Sequence, residues 1–175
     1  MNLPNILTMC RFVLIPIYLL VFFQGYTKSA FLIVLLAGLT DILDGYLARS
    51  RGQITALGIM LDPLADKTMM IAVIISLLIS QMIPWQAAAV MFIRDIGMIV
   101  GSAFFLFRGK KTVPANAMGK LTTVLYYLAI LLIIYEFPFA VPYLWFVIAV
   151  SFMTSVIYII QFAILNKRKA NPNHS

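Results

Sequence analysis

The stretch 41–67 reads DILDGYLARSRGQITALGIMLDPLADK, and it gathers acidic residues in a chain that has few of them. It holds four of the six acidic residues of the whole chain, namely Asp41, Asp44, Asp62 and Asp66. An aspartate near the centre of a bilayer costs about 2.5–3.5 kcal/mol on insertion scales. Four carboxylates in such apolar surroundings therefore indicate a functional site and not incidental surface charge.

The composition around this stretch predicts an integral membrane protein. The 175 residues are 63% hydrophobic and only 11% charged, with a mean hydropathy of +1.00. Soluble domains are roughly half apolar and about a quarter charged, so this chain is too apolar for one. The single Cys10 excludes an internal disulfide, and the lone His174 argues against a histidine metal site or a histidine-based triad.

Six apolar segments are long enough to cross a membrane, since a spanning helix needs about 20 mostly apolar residues. Polar or turn-forming stretches separate them, the longest being RGKKTVPAN at 108–116. We expect one all-α membrane domain over 1–175, with an amphipathic N-terminal segment at about 1–8 and a short basic tail at 166–175. The predicted helices cover about 8–23, 29–49, 58–80, 85–107, 120–136 and 142–165.

The basic residues predict the orientation of these helices. Six crossings place both termini on one side, and the positive-inside rule makes that side cytoplasmic. Lys28 is the only basic residue in the predicted outer loops. Since most of the other basic residues gather on the inner side, the net charge of +7 indicates contact with anionic lipid head groups and not with nucleic acid. Trp85, Tyr143 and Trp145 fall at the outer helix ends, as an aromatic belt would. The basic residues on the inner side are Arg11, Arg49, Arg51, Arg108, Lys110, Lys111, Lys120, Lys167, Arg168 and Lys169.

The four aspartates follow the spacing of helix faces. Neighbouring helices joined by a short loop should pack antiparallel, so we expect the two acidic faces to confront each other. Carboxylates this close cannot all stay ionised unaided, so either some hold protons or a cation lies between them. Oxygen ligands suit Mg²⁺, Mn²⁺ or Ca²⁺, and such a cluster can hold two of them. One face carries Asp41, Asp44, Gly45 and Ala48, and the other carries Gly58, Asp62 and Asp66.

The same stretch resembles the signature of the CDP-alcohol phosphatidyltransferases, D-x-x-D-G-x-x-A-R-x₈-G-x-x-x-D-x-x-x-D, at every defined position. The resemblance implies a six-helical, homodimeric enzyme of the cell membrane with its active site facing the cytoplasm. It implies that two divalent cations, Mg²⁺ or Mn²⁺, are held by Asp41, Asp44 and Asp62. Asp66 would be the general base and would also contact a metal. The residues implied to line the CDP site are Asp41, Asp44, Gly45, Ala48, Arg49, Gly58 and Asp62.

The implied reaction transfers a phosphatidyl group from CDP-diacylglycerol to an alcohol and releases CMP. NLPNILTMCR at 2–11 and LDPLADK at 61–67 resemble the branch of the family that uses glycerol 3-phosphate. An acceptor phosphate needs cations, for which the candidates are Arg94, Arg108, Lys110, Lys111 and Lys120. Arg94 interrupts an apolar run, so we expect it to face a polar cavity or to pair with a motif aspartate. Its neighbour Asp95 should point elsewhere around the helix.

Other interpretations of the acidic cluster differ in class. ITALGIMLDPLADK at 54–67 is also similar to family members that use phosphatidylglycerol, a lipid acceptor. The aspartates could instead stabilise a helix bundle by pairing with Arg49, Arg51 and Lys67. A cation-coupled transporter also places carboxylates inside helices, but it gives no reason for the glycines and Arg49 at fixed offsets. A scaffold that only binds a nucleotide lipid would not need Asp66 as a base.

Overall fold

The computed structural model describes residues 3–50, 56–107 and 117–170, with side chains in 7–43, 61, 64–101, 119 and 121–161. Within these ranges all regular structure is helical, and the prediction of six helices is confirmed. The largest differences from the predicted bounds are an earlier start of the first helix and a later end of the last. The helices are α1 (Leu3–Phe23), α2 (Thr27–Ser50), α3 (Ala56–Ile79), α4 (Trp85–Phe107), α5 (Ala117–Ile134) and α6 (Ala140–Ala170).

The turns that follow α1, α3 and α5 share one geometry. After α1, the backbone N–H groups of Gly25 and Tyr26 donate to carbonyl oxygens in the last turn of the helix, at 3.0 and 3.2 Å. This is the Schellman arrangement, in which the residue after the helix has a positive φ. Gly25 has a φ of 89°, whereas Gln81 and Glu136 occupy the same position after α3 and α5 with a φ of 56° each.

The helices α1, α2 and α3 form one compact unit. Within it α1 packs extensively against both α2 and α3, while α2 and α3 contact each other more sparingly. The first helix is therefore the common partner of the two helices that carry the acidic motif. Its buried side chains recur at helical spacing along one face. They are Thr8, Arg11, Ile15, Tyr18 and Phe22.

The helices α4, α5 and α6 form a second compact unit. Here α6 is the common partner, since it packs against α5 and also contacts α4. Two pairs of hydroxyl groups lie between α5 and α6. Thr122 Oγ1 is 3.1 Å from Thr154 Oγ1, and Tyr126 donates its hydroxyl proton to Ser151 Oγ at 3.1 Å. Beyond the Tyr126–Ser151 pair, towards the turn between the two helices, the apolar residues Ala129, Ile130 and Val147 are buried.

Large apolar side chains are exposed along every helix of the described structure. Leu20, Leu32, Ile79, Ile93 and Val124 are examples from the first five helices, and α6 adds Phe146 and Met153. Among the described residues, one segment, Ala140–Gln161, is long and apolar enough to cross a membrane. Leu7–Phe23 and Leu121–Ile134 are apolar but shorter.

Candidate active site

The two halves of the acidic motif lie on consecutive helices, as predicted. Residues 41–49 belong to α2 and residues 58–66 belong to α3, so the spacing of three and four residues within each half places its members on one helix face. The side chains of Asp41 and Asp66 are described. Because the other motif side chains lie outside the described residues, the predicted confrontation of the two acidic faces stays a prediction. The motif positions concerned are Asp44, Gly45, Ala48, Arg49, Gly58 and Asp62.

Asp41 is held by an arginine from the first helix. Arg11 Nη1 donates to Asp41 Oδ1 at 2.5 Å, which links α1 to α2. The Arg11 side chain is 2% exposed, whereas that of Asp41 is 40% exposed. Arg11 was predicted to face lipid head groups, and for this residue the prediction is wrong, because the guanidinium points into the helix packing. The sequence showed only that Arg11 lies within the apolar segment 8–23, and its inward direction follows from the packing of α1.

Asp66 lies on α3 beside the packed face of that helix. Its neighbour Ala65 is fully buried and Met69, one turn further, is buried as well, while Asp66 itself is exposed. Asp66 is thus an exposed carboxylate at the edge of the packed face of α3. Lys67, suggested as an alternative partner for the aspartates, is half-buried at the next position.

The donor atoms of the motif fit the divalent cations that the family resemblance implies. All four side chains offer carboxylate oxygens, which Mg²⁺ and Mn²⁺ prefer, and none offers sulfur or nitrogen. Asp41 retains substantial exposure despite its ion pair. Among the described side chains, no group of three histidine, cysteine or acidic residues gathers. That search does not include Asp44 or Asp62, whose side chains lie outside the described residues.

Arg94 lies in the second unit, on α4, and its guanidinium has partners on two helices. Nε donates to Ser155 Oγ at 3.0 Å, and Nη2 lies 3.5 Å from the carbonyl oxygen of Ser151, both on α6. Nη1 donates to Asp95 Oδ1 at 2.7 Å. The expectation that Asp95 points elsewhere is wrong. Consecutive helical residues point about 100° apart, but the long arginine side chain bends back to the neighbouring carboxylate.

The remaining acceptor candidates lie outside the described side chains. They are Arg108, Lys110, Lys111 and Lys120. Arg94 is thus the one acceptor candidate whose contacts the described residues show, and its side chain is 16% exposed. Its surroundings are polar, because Ser151, Ser155 and Asp95 all contact it. The partners found for Arg94 are Ser155, Ser151 and Asp95 of its own unit, none of which is a motif aspartate, and the polar cavity expected around it stays a prediction.

The hydroxyl pairs between α5 and α6 were missed in the sequence. Serine and threonine are common in apolar helices, so each one alone carries little information. Their spacing carries more. Thr122 and Tyr126 are four residues apart on α5, and Ser151 and Thr154 are three apart on α6. Matching polar positions on two consecutive apolar helices indicate an interface between them.

Comparisons with known proteins agree with the motif. The profile of the CDP-alcohol phosphatidyltransferase family matches residues 1–171. The chain is 35% identical over 136 residues to the CDP-diacylglycerol–glycerol-3-phosphate 3-phosphatidyltransferase of Rickettsia felis, which covers 76% of this chain and 75% of that protein. It is 37% identical over 128 residues to a probable phosphatidylglycerophosphate synthase of Mycobacterium tuberculosis.

The coverage of these relatives is uneven. The match to the mycobacterial protein covers 70% of this chain but only 60% of that protein's length. A cardiolipin synthase (CMP-forming) and mitochondrial hydrolase fusion protein of Schizosaccharomyces pombe is 35% identical over 114 residues, which is 65% of this chain and 19% of the fusion protein. The profile match over residues 1–171, together with a motif that is complete on α2 and α3, shows that the chain belongs to the CDP-alcohol phosphatidyltransferase family.

Proposed function

We propose that the chain catalyses the metal-dependent transfer of a phosphatidyl group from CDP-diacylglycerol to the hydroxyl of glycerol 3-phosphate. The products are CMP and phosphatidylglycerophosphate. The observation that supports this most strongly is the eight-residue motif, which is complete in this chain and divided between α2 and α3. The choice of glycerol 3-phosphate is supported by the name of the rickettsial relative, which matches over about three-quarters of both chains.

In this proposal the acidic residues have distinct roles. Asp66 accepts the proton of the acceptor hydroxyl, and that oxygen then bonds to the β-phosphorus, the one that carries diacylglycerol. The bond between the β-phosphorus and the bridging oxygen breaks, and its electron pair leaves with CMP. Arg49 binds the diphosphate as a planar cation. Gly45, Ala48 and Gly58 leave room for the nucleotide.

Two Mg²⁺ or Mn²⁺ ions belong to the same proposal. Asp41, Asp44 and Asp62 would hold them, with Asp66 as a further ligand. When bound, they supply positive charge that offsets the charge of the diphosphate and of departing CMP. The carboxylate donor set supports this assignment over zinc or copper.

Arg94 is our first candidate for the acceptor phosphate. A guanidinium binds phosphate oxygens through charge-assisted hydrogen bonds, and Arg94 is held in place by Ser155 and Ser151. Its pairing with Asp95 keeps the charge neutralised until an anion competes for it. Arg108, Lys110, Lys111 and Lys120 are further candidates.

We also propose that all six helices cross the cell membrane, with both termini and the active site on the cytoplasmic side. The exposed apolar side chains along each helix and the apolar segment Ala140–Gln161 support insertion in lipid. The basic residues at one set of helix ends support the orientation. A homodimer is proposed from the family resemblance alone.

A reconstitution experiment tests the reaction. The full chain, purified in detergent, is given CDP-diacylglycerol, Mg²⁺ or Mn²⁺, and either glycerol 3-phosphate or phosphatidylglycerol. CMP release is measured and the lipid product is identified by mass spectrometry. We expect phosphatidylglycerophosphate, and loss of all turnover with EDTA. Absence of CMP release with every acceptor would refute the enzyme, and product from phosphatidylglycerol alone would make the chain a cardiolipin synthase.

A further inference from the structure

Two of the polar side chains on the inward face of α1 each reach a different motif helix. Arg11 donates to Asp41 on α2, and the Tyr18 hydroxyl lies 2.5 Å from Ser76 Oγ on α3. Arg11 and Tyr18 are seven residues apart, so they lie on the same side of α1, two turns from each other. The first helix therefore contacts both halves of the catalytic scaffold through buried polar groups as well as through packing.

These two contacts differ in what they hold. Tyr18 and Ser76 are both buried, and neither belongs to the motif, so their hydrogen bond joins two helices. Arg11 is buried as well, but its partner is the first aspartate of the motif and is partly exposed. A buried guanidinium is unfavourable without its counter-ion, so Arg11 and Asp41 restrict each other's conformation.

We propose that Arg11 is a positioning residue, which fixes the orientation of the Asp41 carboxylate as a ligand for a divalent cation. This inference rests on the proposed function, since it takes Asp41 as a metal ligand. Carboxylates that bind metals are themselves commonly held by hydrogen bonds, and losing such a partner weakens metal affinity. Arg11 has this relation to Asp41, and it comes from a helix that lies outside the motif.

Arg11 could affect metal binding through its positive charge or by orienting the Asp41 carboxylate. These two effects predict opposite changes in metal affinity when Arg11 is replaced. If the positive charge of Arg11 were its main effect, it would repel a cation, and removing it would tighten metal binding. If Arg11 mainly orients Asp41, removing it releases the carboxylate and weakens metal binding. We expect the second result.

The test is a titration of the purified full-length chain with Mn²⁺ alone, followed by electron paramagnetic resonance. Free hydrated Mn²⁺ gives a sharp six-line spectrum that broadens when the ion binds. We expect Arg11→Gln to weaken Mn²⁺ binding by about 10- to 100-fold. Arg11→Lys keeps the charge on a shorter and more flexible stem, and we expect a smaller but measurable loss.

Tyr18→Phe is the matched control. It removes a buried polar contact from the same face of the same helix, so it shows what the loss of such a contact does to Mn²⁺ binding by itself. We expect it to leave Mn²⁺ affinity unchanged. Thermal unfolding of each variant without metal identifies any that do not fold. If Arg11→Gln is one of them, Arg11→Lys decides the question alone.

Three results would overturn the proposal. Unchanged or tighter Mn²⁺ binding in the Arg11 variants would show that Arg11 does not orient a ligand. An equal loss in Tyr18→Phe would assign the effect to the packing of α1 in general. Absence of Mn²⁺ binding by the unaltered chain would remove the metal site itself. CMP release by the unaltered chain is measured separately, so the proposed reaction can stand or fail independently of these outcomes.

Discussion

Arg11 in the α1–α3 unit and Arg94 in the α4–α6 unit are both arginines inside apolar helices, and each is paired with an aspartate. The partner of Arg11 is Asp41 on another helix, 30 residues along the chain. The partner of Arg94 is the adjacent residue of its own helix, Asp95. Arg11 is almost completely buried, whereas Arg94 retains 16% exposure.

The difference concerns what holds each unit together. In the first unit an ion pair links α1 to α2, so charge is part of the helix packing. In the second unit hydroxyl pairs link α5 to α6, and Arg94 bonds to Ser155 on α6, but its ion pair stays within α4. If an external anion took the place of Asp95 beside Arg94, no ion pair between helices would break. If an anion took the place of Asp41 beside Arg11, the ion pair between α1 and α2 would break. Under the proposed function, this favours a fixed role for Arg11 and a substrate-binding role for Arg94.

The largest effect is expected from Asp66→Asn in the first unit. Asparagine has nearly the same shape but cannot accept a proton, so we expect turnover to fall by about 10²- to 10⁴-fold. CDP-diacylglycerol binding should be largely retained. CMP release gives the rate, and equilibrium binding of the CDP-lipid gives the affinity. Glu136→Gln, in the exposed turn after α5, is the control. Near-normal turnover by Asp66→Asn would show that the base assignment is wrong.

Arg94→Met tests the second half of the comparison. Hydrogen bonds to charged groups contribute about 1.5–3 kcal/mol, which corresponds to about a 10- to 100-fold rise in KM for glycerol 3-phosphate. CDP-diacylglycerol binding should not change, and Arg94→Lys should show a smaller rise because it keeps the charge. Initial rates over a range of acceptor concentrations measure this. A loss of thermal stability without a change in KM would instead make Arg94 a structural link between α4 and α6.

The sequence was sufficient for the helices and for the motif, because both depend on local spacing. Apolar runs determine where helices lie, and residues three and four apart on a helix share a face whatever its neighbours are. The site halves on α2 and α3 follow from this periodicity. Gly25 and Pro84 are recognisable turn residues for the same local reason.

The arginine contacts could not be predicted in this way. Asp41 meets Arg11 only because α1 packs against both motif helices, and the sequence does not specify which helices become neighbours. Arg94 reaches Asp95 through the length and flexibility of its side chain, which a helical wheel ignores. Gln81 and Glu136 end their helices with a positive φ that usually indicates glycine, so neither residue carried a signal.

The positive-φ residues after α1, α3 and α5 give a prediction about stability that applies to both units. Gly25→Ala places a side chain at a φ of 89°, and a left-handed conformation costs a non-glycine residue about 1–2 kcal/mol. We expect that loss of stability in thermal unfolding. Gln81→Gly and Glu136→Gly, at the same position after α3 and α5, should be neutral or stabilising. Destabilisation by either one would show that its side chain contributes more than its backbone strain costs.

The smallest expected effect compares one tyrosine hydroxyl in each unit. Tyr18 bonds to Ser76 between α1 and α3, and Tyr126 bonds to Ser151 between α5 and α6. Hydrogen bonds between membrane helices average about 0.6 kcal/mol, so Tyr18→Phe and Tyr126→Phe should each lower stability by about that amount. Their effects on activity should differ, because the carbonyl oxygen of Ser151 also contacts Arg94.

Kinetics of the two variants separate these effects. If the hydroxyl of Tyr126 helps to hold the α6 segment that contacts Arg94, Tyr126→Phe raises KM for glycerol 3-phosphate slightly, while Tyr18→Phe leaves it unchanged. Equal KM values in the two variants would show that the hydroxyl pairs only hold helices together. The second unit would then resemble the first in its packing, and the contrast would lie in the two arginines alone.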